Sequence, residues 1–308
     1  MSRPAAPDRT VTAGIDVGGT KVAGALVDTD GRVVARVRRS ALVGARGDPG
    51  LRVTRAVAEA LLARAAALGL VVEGIGAGFP EYVTPDGRLT SHEVLAWRTQ
   101  PTALLADLGP VSVGSDVRCA ALAEARLGAG RGVGSFLYVS LGTGISSTLV
   151  LGGSPWAGAR GEAIALGELP LAGEPGARLE PFASGEGIRR RDAVLRGSDP
   201  GSARAVVAAA RAGDPMAHAV VTSAGAATGA ALATLVRLLD PALVVLGGGL
   251  AGAGDPWRGA LRAALRAGLA GRPHPPRLRR AALGRDAGSV GAALLHRERI
   301  GATGDPRS

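Results

Sequence analysis

The chain has 308 residues, of which 46% are hydrophobic and 20% are charged. A chain of this size covers roughly 73% of its surface on folding, so it can build one large domain or two medium ones. The formal net charge is +10, but Lys21 is the only lysine and 35 of the 36 basic residues are arginines. Because these arginines are scattered and only 3% of the residues are aromatic, we expect no nucleic-acid partner.

The cysteine content and the apolar segments indicate the cellular compartment in which the protein is expected. Cys119 is the single cysteine, which excludes a disulfide framework and a cysteine zinc site and favours a reducing cytosol. The N-terminal MSRPAAPDRT has no apolar segment typical of a signal peptide. Residues 219–236 are uncharged and contain Gly225 and Gly229 at GxxxG spacing, but they are rich in small residues and predict a buried helix. We therefore expect a cytoplasmic protein without a membrane partner.

Two segments share one succession of strands and turns. VTAGIDVGGTKVAGALVDTDGRVVARVRR reads as strand, glycine turn, strand, Asp-Gly turn and strand, and SFLYVSLGTGISSTLVLGGSPWAG repeats this pattern about 126 residues later. Helical patterns occupy residues 51–68, 117–127, 203–211 and about 257–267, and a late strand covers 242–246. The alternation predicts an internally duplicated α/β fold with largely parallel sheets and a cleft between the two halves.

Three glycine clusters follow strands, at the position where such sheets bind ligands. They are Gly18-Gly19, residues 142–144 and residues 247–249, and a threonine accompanies the first two. Each one alone could be a simple hairpin turn. Together they favour a phosphate cradle of backbone N–H groups and hydroxyls.

Two common types of phosphate site, a dinucleotide-binding turn and a Walker loop, do not match these glycine clusters. GGGLAG at 247–252 satisfies G-x-G-x-x-G, but no acidic residue lies between Asp255 and Asp286, where a dinucleotide site requires one. Lys21 lacks the upstream spacing of a Walker loop. What remains is Asp16 at a strand end before an amide-rich turn, which suits a nucleotide phosphate and a hydrated magnesium ion.

Five motifs in order resemble the ROK family (repressors, open reading frames and sugar kinases), particularly its actinobacterial glucokinase-like members: GIDVGGTK, GSDVRCAALAEARLGAGRG, LGTGI, LVVLGGG and LGRDAGSVGAALL. The resemblance covers about residues 12–296. It implies the duplicated, actin-like ATPase fold of the ribonuclease-H type, with two lobes and a central cleft. The implied lobes are residues 1–114, completed by a C-terminal helix at about 286–308, and residues 115–285. The sequence lacks the DNA-binding extension of the family's repressors, so the kinase branch is the better match.

The resemblance also implies roles for individual residues. The implied nucleotide and phosphate site contains Asp16, Gly18, Gly19, Thr20, Lys21, Gly142, Thr143, Gly144, Gly247, Gly248 and Gly249. Asp116 is implied to be the catalytic base, which accepts the proton of a sugar hydroxyl attacking the γ-phosphate. Ser115 stands where the family has a sugar-binding asparagine. On local evidence alone Asp116 could instead be the N-cap of a helix.

The sugar-binding motifs depart from the family pattern. Glu168 stands where the family has a zinc-binding histidine, and Ala165 stands where it has a glutamate. The stretch from Arg178 to Glu180 has none of the family's zinc-binding cysteines, and Glu180 alone is retained from the sugar-contacting group. The losses agree with one another, so we expect that the whole zinc site is absent.

Three glutamates are expected near the sugar: Glu81, in the loop where the family has Gly-x-Pro-Gly, with Glu93 and Glu168. They form either a decayed pocket with solvated side chains or an acidic sugar pocket. The family's asparagine at the position of Glu93 contacts the 3-hydroxyl of the sugar. A carboxylate there would suit an ammonium group, so 3-amino-3-deoxyglucose (kanosamine) is a candidate beside glucose.

The function implied by the resemblance is an ATP-dependent kinase that phosphorylates the 6-hydroxyl of a hexose with the help of Mg²⁺. Its implied partners are the sugar, the nucleotide and a second copy of the chain in a homodimer. Polyphosphate remains open as the phosphoryl donor. The alternative is a catalytically weak sugar-binding sensor, favoured by the changes at Ser115, Ala165 and Glu168 and opposed by Asp16 and Asp116.

Overall fold

The structure is a computed structural model that describes residues 10–41, 48–171 and 175–303. Residues 1–9, on which the signal-peptide expectation rests, and the last five residues of the expected C-terminal helix lie outside the described residues. The chain forms two compact units. The first contains the chain up to Arg131, Ser154–Ala163 and the chain from Arg285, and the second contains Gly132–Gly153 and Ile164–Gly284.

A five-stranded sheet is the centre of the first unit. Its strands are β1 (Thr10–Val17), β2 (Lys21–Asp28), β3 (Val33–Ser40), β4 (Val71–Phe79) and β5 (Val111–Ser115), in the order β3-β2-β1-β4-β5. The predicted succession β1, turn, β2, turn, β3 is confirmed. The sheet is mixed rather than largely parallel: short turns make β1, β2 and β3 antiparallel neighbours, whereas β4 and β5 run parallel to β1.

In the described part of this unit there are four α-helices: the sequence pattern predicts the first and the third, and the family resemblance implies the last. They are α1 (Arg52–Ala67), the one-turn α2 (Pro101–Leu104), α3 (Asp116–Leu127) and, later in the chain, α9 (Ala287–Thr303). Helix α9 packs against β1, β4 and α3. Because of this packing the first unit extends to Arg131, beyond the lobe boundary expected after residue 114, and α3 with Asp116 lies in the first unit.

The second unit repeats the strand pattern of the first. Its strands are β6 (Ser135–Leu141), β7 (Ile145–Leu151), β9 (Leu243–Gly247) and β10 (Arg277–Arg280), and the two-residue strand β8 (Ser154–Pro155) belongs to the first unit. In each sheet the first strand in the chain, β1 or β6, has an antiparallel hairpin partner on one side. On its other side lie two strands that run parallel to it, β4 and β5 for β1, and β9 and β10 for β6. The predicted internal duplication is therefore confirmed. The helices of this unit are α4 (Leu179–Ala183), α5 (Gly185–Arg196), α6 (Ala203–Arg211), α7 (Pro215–Leu239) and α8 (Trp257–Gly268).

The apolar segment with GxxxG spacing lies in α7. Among the described residues, α7 alone is long and apolar enough to cross a membrane by length and composition, and 50% of its most apolar window is buried. A side chain on Gly225 or Gly229 would overlap the backbone carbonyl of Trp257 or Leu261 on α8. The small residues of α7 are thus explained by its close packing against α8.

Candidate active site

Two aspartates of the first unit lie at the ends of β1 and β5, the two strands that flank β4. Gly78 on β4 pairs with Asp16 on β1 and with Gly114 on β5, and Asp116 begins α3 directly after β5. A Cβ atom on Gly78 would lie 3.2 Å from the Cα atom of Asp116. Since Gly78 has no side chain, the carboxylates of Asp16 and Asp116 share one partly buried environment.

This environment changes the acidity of both groups. Desolvation, and then the charge of Asp16, raise the pKa of Asp116 to about 7, although the Val117 N–H donates to its Oδ1 at 2.6 Å. Desolvation also raises the pKa of Asp16, while the charge of Lys21 acts in the opposite direction. A carboxylate that titrates near neutral pH has the proton affinity that a general base needs.

The local structure does not make Asp116 a helix cap. The N-cap of α3 is Ser115, and Asp116 is the first helical residue. The side chain of Asp116 accepts from the N–H of the next residue, Val117, whereas an N-cap side chain accepts from the N–H two or three positions on. Ser115 is fully buried and its hydroxyl lies 3.4 Å from Asp116 Oδ1. Its position therefore suits support of Asp116 better than the expected contact with sugar.

The turn after β1 offers backbone N–H groups for a phosphate. The Gly18 N–H donates to the Lys21 carbonyl at 2.9 Å and closes the turn. Within the described residues, the N–H groups of Gly19 and Thr20 have no acceptor. Thr20 and Lys21 are exposed. Free amides, a hydroxyl and an ammonium group in one turn form an anion-binding arrangement.

Hydrogen bonds from Gly185 and to Glu180 hold the turn between β6 and β7 in the second unit. Gly142 donates its N–H to the Gly144 carbonyl at 3.0 Å, and its own carbonyl accepts from Gly185 at 2.9 Å. The Glu180 carboxylate accepts from the Ile145 N–H at 2.6 Å. Thr143 remains exposed at the tip. Glu180 therefore supports this turn in the structure, a role that its assignment to the sugar site does not include.

The third glycine cluster follows β9. Gly247 ends the strand, and Gly248 and Gly249 are exposed, with Gly248 at a φ of 81°. A short 3-10 helix over Leu250–Gly252 follows, and α8 begins only at Trp257. A dinucleotide fingerprint opens directly onto an α-helix, so this geometry agrees with the rejection of a dinucleotide site.

Glu81 is not the pocket carboxylate that the sequence led us to expect. Its side chain is 2% exposed and accepts hydrogen bonds from the N–H groups of Glu93, Val94 and Leu95 at 2.8, 2.9 and 2.7 Å. The Ser91 hydroxyl donates to it as well. Because these four protein donors occupy both carboxylate oxygens, Glu81 has no role in contacting a sugar directly.

Glu93 differs from Glu81 although they share a loop. Glu93 is exposed, and its carboxylate has no hydrogen bond or ion pair among the residues that the structure describes. Nearby, the His92 ring stacks on Trp97 with a centroid separation of 4.3 Å, and the Trp97 indole donates to the Ser91 carbonyl at 2.7 Å. A free carboxylate is therefore held on a braced loop.

Glu168 has a neighbouring cation. It is exposed and forms a 3.7 Å ion pair with Arg178. An exposed pair at this distance contributes little stability, but it partly neutralises the expected pocket charge. No cluster of three or more histidine, cysteine, aspartate or glutamate side chains that could hold a metal ion occurs among the described residues.

Arg118 has a structural role that no sequence motif indicates. This arginine is 8% exposed, and its guanidinium donates to the carbonyls of Val83 and Gly161. Arg118 therefore links Val83, two residues after Glu81, to Gly161 in the 154–163 segment of the first unit. The motif containing Arg118 gave no indication of these partners, which lie 35 and 43 residues away.

The comparison with known proteins decides the family. Residues 12–299 match the ROK family. The chain belongs to the ROK family. The sequence resemblance is thereby confirmed, and the fold is the actin-like ATPase fold that ROK sugar kinases share.

Three named relatives differ in how much of their length the chain covers. The chain is 40% identical over 187 residues to the bifunctional enzyme NanE/NanK of Brucella melitensis, matching 60% of this chain but 35% of that protein. It is 31% identical to a glucokinase of Halalkalibacterium halodurans, covering 92% of this chain and 93% of that one. It is 32% identical to a kanosamine kinase of Amycolatopsis mediterranei, covering 77% and 80%.

Solved ROK structures cover nearly the whole chain. A ROK hexokinase from Thermus thermophilus has a TM-score of 0.80 at 35% identity, covering 95% of this chain and 99% of that one. A ROK glucokinase from Streptomyces griseus in complex with glucose and AMPPNP has a TM-score of 0.77 at 29% identity, with 94% and 99% covered.

Proposed function

We propose that this protein is an ATP-dependent sugar kinase that transfers the γ-phosphate to the 6-hydroxyl of a hexose. The observation that carries the proposal is the Asp116 carboxylate, whose pKa is raised to about 7 by desolvation and by the charge of Asp16, at the ends of the two strands that flank β4. Glycine turns occur at the strand ends of both sheets, and in the turn after β1 the Gly19 and Thr20 amides have no acceptor among the described residues. Similarity to a glucokinase and to a glucokinase structure with glucose and AMPPNP supports the same reaction.

In the proposed phosphoryl transfer, Asp116 handles the proton, and the glycine turns and Lys21 bind the phosphate groups. Asp116 accepts the proton of the sugar hydroxyl as its oxygen forms a bond to the γ-phosphorus and the bond to the leaving ADP oxygen breaks. Backbone N–H groups of the glycine turns bind phosphate oxygens, and Lys21 adds positive charge in the first unit. Positioning and charge stabilisation supply most of the rate in phosphoryl transfer.

Asp16 fits a magnesium site by its donor chemistry. Its carboxylate is partly buried, lies beside the Gly18–Lys21 turn and has no hydrogen-bond donor among the described residues. Carboxylate oxygens, together with water and substrate phosphates, are the ligands that Mg²⁺ prefers. When bound, Mg²⁺ would neutralise phosphate charge, with Asp16 holding it through water.

The proposed substrate is an amino sugar, with glucose as the weaker one. The support is the exposed Glu93 carboxylate, which has no partner in the described part of the chain and stands where the family has asparagine, together with 32% identity to a kanosamine kinase. A sugar hydroxyl would also donate to the charged Glu93 carboxylate, so the gain from an ammonium group is the added ion pair, worth up to about 1 kcal/mol at an exposed site. An ammonium group on the sugar would therefore bind up to about fivefold more tightly than a hydroxyl.

The deciding experiment measures ADP release with ATP over a panel of hexoses and amino sugars, with calorimetric sugar binding in parallel. We expect sugar-dependent ADP release, fastest with an amino sugar. Sugar binding without ADP release would instead favour the sensor. Neither binding nor turnover with any sugar would reject both functions.

A further inference from the structure

The buried Glu81 carboxylate has four hydrogen-bond donors and, among the residues that the structure describes, no cationic partner. Three of the donors are the consecutive N–H groups of Glu93, Val94 and Leu95, at 2.7 to 2.9 Å. The fourth is the Ser91 hydroxyl, which in turn accepts from the Tyr82 N–H at 2.9 Å. One carboxylate therefore satisfies the backbone of a segment, residues 91–95, that belongs to no named helix or strand.

The segment held by Glu81 has two features that concern the proposed reaction. It carries the exposed Glu93 carboxylate. It also contacts the phosphate-binding turn, because a Cβ atom on Gly19 would lie 2.9 Å from Val94 Cγ1. The segment thus joins the residue proposed to select the sugar to the turn proposed to bind phosphate.

We propose that Glu81 is a positioning residue for sugar binding, which fixes the 91–95 segment and thereby places Glu93 relative to the phosphate-binding turn. This inference rests on the proposed function. Glu81 acts through the backbone of the segment and does not touch the sugar, since its carboxylate is 2% exposed and occupied by protein donors. A small residue such as the family's glycine at this position could not make these four contacts.

A Glu81→Gln variant tests this role with little change in volume. Glutamine has one acceptor oxygen in place of two and turns an NH₂ group toward backbone donors, so the segment loses part of its anchorage. We expect calorimetry to show at least about tenfold weaker binding of the preferred sugar. Hydrogen exchange at the Val94 and Leu95 amides should become faster.

A matched control is Gln100→Met. Gln100 anchors the same part of the chain through two 3.0 Å hydrogen bonds to the backbone of Leu89, outside the 91–95 segment. We expect this variant to lose thermal stability with sugar affinity within about twofold of wild type. Equal effects on sugar affinity in the two variants, or a fall in stability alone for Glu81→Gln, would overturn the positioning role.

Two further measurements keep the outcomes distinct. If Glu81→Gln does not fold, Ser91→Ala removes one donor only, and sugar affinity within twofold of wild type with unchanged amide exchange would overturn the inference. Because affinity is measured by calorimetry, a protein that binds sugar without phosphorylating it rejects the kinase proposal and still tests Glu81. Failure of the wild-type protein to bind any sugar rejects both.

Discussion

The charge of Asp16 raises the pKa of Asp116, and the strands that lead to them, β1 and β5, flank β4, whose Gly78 pairs with Asp16 and with Gly114. Desolvation is the larger cause and brings the Asp116 pKa to about 7. Near neutral pH, Asp116 is therefore divided between its protonated and ionised forms in the protein without substrate. Both kcat/KM and the free energy of unfolding should therefore depend on pH through this group.

Catalytic efficiency should rise with pH through about 7. Only the ionised form of Asp116 can accept the hydroxyl proton, so kcat/KM for the sugar should fall about tenfold per pH unit well below that value. Steady-state rates between pH 5.5 and 8.5 at constant ionic strength measure this. A flat profile from pH 6 to 8 would show that Asp116 does not titrate there as the base.

Replacing Asp116 by asparagine should abolish transfer and leave nucleotide binding nearly intact. The amide keeps the shape of the carboxylate but cannot take the proton, and general-base assistance is worth roughly a hundredfold or more. Turnover and nucleotide affinity of Asp116→Asn are the measurements. Retention of more than about a tenth of the wild-type turnover would contradict the base role.

The same variant should be more stable than the wild type. With its pKa raised above 3.8, the folded protein holds the Asp116 proton more tightly than the unfolded chain. Stability from this group is thus full below about pH 4 and is lost as pH rises to about 7. Asp116→Asn should raise the unfolding temperature by a few degrees, more at pH 8 than at pH 5. A lower unfolding temperature at pH 8 would contradict the desolvation argument.

Activity should require magnesium and no zinc. Asp16 offers oxygen ligands, and the described residues contain no cluster of three or more potential zinc ligands. EDTA should stop turnover without unfolding the protein, and added Mg²⁺ should restore it. Stoichiometric zinc in the purified protein, with unfolding when it is chelated, would disprove this prediction.

Changing Glu93 to asparagine should transfer the preference from an amino sugar to glucose. The substitution removes the charge and restores the family's usual residue. The kcat/KM ratio of 3-amino-3-deoxyglucose to glucose should fall from up to about five to about one or less. Equal changes for both sugars, starting from no preference, would show that Glu93 has no role in selection.

Residues whose position depends on local pattern were predictable from the sequence. The glycine turns after β1, β6 and β9 are predicted by apolar strands that end in turn-forming residues, and the structure places them at strand ends as expected. The role of Glu81 was not predictable, because its partners lie 10 to 14 residues away in a segment without periodicity. The extent of the first unit likewise depends on packing between α3 and α9, which are far apart in the chain. Such contacts leave no periodic signal in the sequence.

The most direct test of the proposed kinase is the identity of its product. Incubation with ATP, Mg²⁺ and the best sugar of the panel, followed by phosphorus–proton correlation NMR, locates the transferred phosphate on the sugar. We predict a single new phosphate ester coupled to the two protons of carbon 6, formed in equal amount to ADP. ADP formed without a sugar phosphate, or a phosphate on another carbon, would contradict it.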